Sequence, residues 1–84
     1  MFSLRFDREI IITSHAQARM QERELSAEQV LDVIESGMVR HKDGRRMWIF
    51  KTMESRCDNL ICAAVVMDDR LVVKTVMVNW ELME

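Results

Sequence analysis

The sequence predicts an α+β domain: two N-terminal helices packed on one face of an antiparallel meander sheet of about four strands. Three observations point there. Two stretches between residues 14 and 36 each open on a helix-capping signal, the apolar period changes from helical to strand-like after Gly37, and no proline or low-complexity tract breaks the chain. The composition is globular, with 49% apolar and 31% charged residues, and 84 residues suffice for one core but not two. Residues 1–84 therefore read as a single domain.

The first apolar run, Glu9 to Thr13, is β-branched and suits either a short strand or a packed lead-in. Ser14 is the expected cap of the first helix, with Gln17 three residues on completing a capping box. His15 to about Arg23 follow as good helix formers. Ser26 repeats the signal with Gln29, and Val30, Leu31, Val33 and Ile34 make the buried stripe of a second helix. Gly37 stands where a left-handed helix end belongs.

Beyond Gly37, Met38 to Lys42 and Arg45 to Lys51 flank Asp43-Gly44, a pair suited to a two-residue type I′ turn. Met53 to Asn59 is expected to be a polar loop. Leu60 to Met67 is continuously apolar, as in a strand covered on both faces, and Leu71 to Asn79 is a final valine-rich strand. Strict alternation places Val73, Thr75, Met77 and Asn79 on one side of that last strand and Val72, Lys74, Val76 and Val78 on the other. Trp48 and Phe50 share a parity with Thr52 and suit either the core or an exposed stacking surface. With helices on one face only, the other face is left for water or a ligand.

Charge is unevenly distributed. Residues 1–36 carry four Lys/Arg against seven Asp/Glu, residues 37–56 carry six against two, and residues 57–84 carry two against five. A basic island, with Arg40, Lys42, Arg45 and Arg46 around the expected hairpin, thus sits inside a protein of net charge −2. It can meet phosphate or an acidic partner, and a solvated turn also accounts for it. The apolar runs are too short to span a membrane. Arg5, Asp7, Arg8 and Glu9 stand where a secretory signal would be apolar, so a cytoplasmic location is expected.

Ser14 to Arg23 is the stretch most suggestive of chemistry. His15, Arg19 and Arg23 recur at i, i+4 and i+8 and share one helix stripe, while Ala16 and Met20 turn toward the core. The positive helix end and Arg19 both favour neutral imidazole at His15. A neutral histidine can act as general base, and arginines can hold a phosphate. Solvated pairs with Glu22 and Glu24 are the plainer use of those arginines. Cys57 and Cys62 lack metal-ligand spacing, and Gly37 and Gly44 cannot form a phosphate loop, so no metal or cofactor is expected.

Ser14-His15-Ala16, Arg19-Met20, Glu22-Arg23, Leu25-Ser26 and Glu28-Gln29-Val30, with the phrase Val72 to Val76, resemble the small bacterial family known as domain of unknown function 4258. That family is distantly similar to RelE- and BrnT-type, barnase-like endoribonuclease toxins. The resemblance implies a metal-independent ribonuclease of toxin–antitoxin type. His15 would be its acid/base and Arg19 its catalytic partner, with Arg23 and Thr75 at binding positions. RNA or the ribosome would be the target and an antitoxin-like protein the partner. The alternative expectation is a non-catalytic interaction module that binds a protein through its open sheet face or edge.

Overall fold

The computed structural model describes residues 1–52 and 60–78. Its elements are β1 (Phe2–Ser3), β2 (Arg8–Ile12), α1 (Ser14–Glu22), α2 (Ala27–Ser36), β3 (Met38–His41), β4 (Arg46–Thr52), β5 (Leu60–Met67) and β6 (Leu71–Val78). They form one mixed six-stranded sheet in the order β1-β2-β6-β5-β4-β3, with both helices on one face. This corrects the expected four-stranded antiparallel meander with N-terminal helices. Two strands precede the helices, and β2 runs parallel to β6, pairing Ile10 with Leu71, Ile11 with Val72 and Ile12 with Val73. The remaining neighbours pair antiparallel.

Apolar spacing explains why the helices lie where they do. Ala16 and Met20 of α1 and Val30, Val33 and Ile34 of α2 are buried against Ile10, Met47, Ile49, Ala63, Val65, Leu71, Val73 and Val76 of the sheet. Burial of this kind is worth about 1.5–3 kcal/mol per large apolar side chain. No helix among the described residues is long and apolar enough to cross a membrane.

Three local expectations are also corrected. Thr13, not Ser14, caps α1: its hydroxyl accepts from the Ala16 N–H, while the Gln17 side chain donates to the Ile12 carbonyl. Thr13 wins because its own N–H is already bound to the Val73 carbonyl, which holds it in an extended conformation. The Ser26–Gln29 capping box, by contrast, is complete.

Gly37 is extended, with φ −74° and ψ 168°, rather than left-handed. It has to be glycine for space. A Cβ there would collide with the Val33 carbonyl oxygen and lie 2.8 Å from that of Phe50. The end of α2 is instead capped from outside, by the Arg5 guanidinium donating to the carbonyls of Ile34 (3.1 Å) and Gly37 (2.6 Å).

Asp43-Gly44 does not form a type I′ turn, because neither residue has positive φ. The Asp43 carboxylate accepts the N–H groups of Arg45 and Arg46, and the Lys42 N–H donates to the Arg46 carbonyl. A wider loop, closed by an aspartate, therefore joins β3 to β4. The expected polar loop from Met53 to Asn59, and Asn79, lie outside the described residues.

Candidate functional site

The open sheet face is built from cross-strand rows, because residues directly opposite one another share a face. Arg40 of β3 pairs with Trp48 of β4, Trp48 with Ala64 of β5, and Ala64 with Thr75 of β6. The next row joins Arg46, Val66, Val72 and Ile11. Met47 and Ile49, the neighbours of Trp48, are buried under the helices, so the indole belongs to the opposite, half-open face. Of the two places open to Trp48 and Phe50, this is the exposed surface rather than the helix-side core.

A β-bulge completes the face. Ala64 pairs with Thr75 but Val65 pairs with Val73, which leaves Lys74 as an extra residue. Val73 and Val76 both point to the helices, at 0% and 2% exposure. Lys74 is exposed and Thr75 half-buried, and the pairing of Ala64 puts Thr75 on the open face. Strict alternation therefore fails at this point. Val72, Thr75 and Met77 share the open face, and Val76 does not.

A cavity of about 160 Å³ opens between the strands, with Lys42, Arg46, Trp48, Ala64, Val66 and Lys74 among the residues that line it. Alanine at position 64 leaves room that a larger side chain would fill. The Lys42 ammonium lies 5.9 Å from the Trp48 ring centroid, which marks an electron-rich ring face turned toward the cation. Among the described residues, Arg40, Lys42 and Lys74 take part in no ion pair.

Arg46 differs. Its guanidinium is paired with Asp43 at 2.6 Å. The N–H groups of Arg46 and Arg45 and the Arg46 side chain hold the Asp43 carboxyl far below the usual carboxylate range. Asp43 thus stays ionised and offsets part of the local positive charge.

The predicted residues divide into two groups. Arg40, Lys42, Arg46 and Thr75 come together on the open face. Arg45 turns away to the β5–β6 turn, where its Nη1 donates to both Asp68 oxygens at 3.0 Å. His15, Arg19 and Arg23 lie along α1, which packs on the other face, and none of them lines the cavity.

His15 is exposed in the first turn of α1. Arg19 is ion-paired with Glu22 at 2.8 Å, and Arg23 ends the helix. One link joins the two groups. The Thr13 hydroxyl donates to the Lys74 carbonyl at 3.2 Å, so α1 starts against the bulge.

Lys74 and Ala64 were not singled out by the sequence. The signal that could have found them is the polar pair Lys74-Thr75 inside a valine-rich strand, since two adjacent polar residues break the alternation as a bulge does. No group of three or more His, Cys, Asp or Glu among the described residues could hold a metal ion.

A family model described as Domain of unknown function (DUF4258) matches residues 12–78. No curated protein and no solved structure matches the chain.

Proposed function

This chain belongs to the DUF4258 family, and we propose that it binds single-stranded RNA on its open sheet face. The observation that supports this reading is the Trp48 cavity with the cations Arg40, Lys42 and Lys74 around it. Unstacked bases need a flat apolar partner, and the phosphates between them need cations at the rim. A duplex keeps its bases stacked and would leave the indole unused. The net charge of −2 does not oppose this, because charges more than about 8–10 Å away are largely screened at physiological salt.

The test is a fluorescence-anisotropy titration with a labelled single-stranded RNA at several salt concentrations. Each phosphate contact contributes about 0.7 to the slope of log affinity against log salt for single strands. Lys42→Gln with Lys74→Gln should weaken binding and flatten that slope by about 1.4. An unchanged slope, or no binding at about 50 mM salt, would overturn the proposal. In the latter case, capture of an acidic protein would favour the interaction-module alternative.

The hydrogen bond between Thr13 and Lys74 favours a second reading, cleavage of the bound strand. It ties Thr13, two residues before His15, to the backbone of the bulge. In this reading His15 takes the 2′-hydroxyl proton as general base, the 2′-oxygen bonds to phosphorus as the P–O5′ bond breaks, and the departing 5′-oxygen takes a proton from water. Arg19 and Arg23 stabilise the charged phosphorus centre. His15→Ala should bind RNA as the wild type does and generate no new 3′ ends. Equal cleavage by the variant would move the chemistry elsewhere.

A further inference from the structure

We infer that the cavity beside Trp48 is a single-nucleotide subsite. One base lies against the indole over Ala64, and its phosphate is held at the Lys74–Thr75 bulge. The inference rests on the RNA-binding reading and specifies the ligand of that face. Three observations carry it.

The first is size. An apolar cavity of about 150 Å³ holds one benzene, and this one, at about 160 Å³, has room for one ring system. The second is composition. Trp48, Ala64 and Val66 give the recess an apolar floor and wall, while Lys42 and Lys74 stand at its margin. An apolar recess with cationic margins matches a base joined to a phosphate better than it matches either alone.

The third is the bulge. In a regular strand Lys74 and Thr75 would face opposite ways. Here one extra residue turns an ammonium and a hydroxyl to the same face, opposite Ala64. Together they offer a charge and a directed donor to one phosphate. The Lys42 ammonium, now over the indole, is on a flexible stem. It can move to the phosphate as the base takes its place.

The experiment is a two-dimensional ¹H–¹⁵N NMR titration of the whole chain with adenosine 5′-monophosphate, adenosine and inorganic phosphate in turn. The nucleotide should shift both the Trp48 indole N–H and the Lys74 amide, with Kd on the order of 1 mM. It should bind at least about tenfold more tightly than adenosine or phosphate alone. Ala64→Leu should lose the response at Trp48 and keep the phosphate response at Lys74. Trp48→Ala should weaken nucleotide binding about tenfold, and serves where Ala64→Leu spectra are not those of a folded chain.

A nucleotide that binds no better than phosphate would overturn the inference, as would nucleotide binding that survives both substitutions. A ten-residue RNA separates the two levels of failure. If the wild type binds it but the nucleotide criteria fail, the subsite is wrong and the RNA reading stands. If the wild type does not bind it, both fall.

Discussion

Replacing Glu35 tests whether an N-terminal clasp holds the helix layer onto the sheet. Its carboxylate accepts from the Ser3 hydroxyl (2.7 Å) and from the N–H groups of Leu4 (2.6 Å) and Arg5 (3.2 Å), tying the β1–β2 turn to the last turn of α2. The Ser3 bond matters most, because Ser3 is fully buried at 0% exposure. A hydrogen bond to a charged acceptor contributes about 1.5–3 kcal/mol. The two backbone donors can turn to water and add only a fraction of that. Glu35→Ala should therefore cost about 2–3 kcal/mol, which for a domain of this size lowers Tm by roughly 10–20 °C.

The pH dependence isolates the charge. Burial raises the Glu35 pKa, but the bonds from Ser3, Leu4 and Arg5 and the Arg5 charge outweigh it, leaving the pKa below its ordinary 4.5. A carboxyl lowered in the folded state stabilises fully above its unfolded pKa and loses that contribution as pH falls through the folded value. Urea unfolding followed by circular dichroism should therefore show Glu35→Gln less stable than wild type at pH 7. The gap should narrow as the pH falls below 4.5 and close once Glu35 is protonated in the folded state. A gap that is constant with pH, or a Glu35→Ala cost below about 0.5 kcal/mol, would refute the reasoning.

Two further predictions concern the loop and the helix end. Gly37→Ala should destabilise by at least about 2 kcal/mol in the same urea assay, since its Cβ would strike the carbonyls of Val33 and Phe50, neither of which can shift freely. Asp43→Asn should release the Arg46 guanidinium toward the cavity and raise RNA affinity several-fold in anisotropy titrations, more so at low salt.

Local chemistry made the helices and the later strands legible. Ser26–Gln29 caps α2 as its spacing implies, and Ala16, Met20, Val30, Val33 and Ile34 face the core. Of the first two strands, β1 was not legible, and β2 could be read only as either a strand or a packed lead-in. Phe2–Ser3 is too short to show a period, and β2 is a strand because it pairs with β6, some sixty residues away. The N-cap moved to Thr13 for the same reason, its backbone being held by Val73.

The site was half legible. The basic residues of the hairpin could be read as a cluster, and three of them reach the open face. The bulge at Lys74 could not be foreseen from alternation, so Val73 was grouped with Thr75 and Val72 with Val76, whereas Val72 shares the open face with Thr75 and Val73 shares the helix side with Val76. Trp48 has the parity of a face residue, and only the position of the helices decides which face that is.

The most direct test of the open-face reading is photocrosslinking with a single-stranded RNA carrying 4-thiouridine, followed by tryptic mapping of the attached peptide. Crosslinks should concentrate on Met47–Lys51, the peptide that contains Trp48, and fall away in Trp48→Ala. Crosslinks confined to α1, or spread equally over both faces of the sheet, would contradict the account.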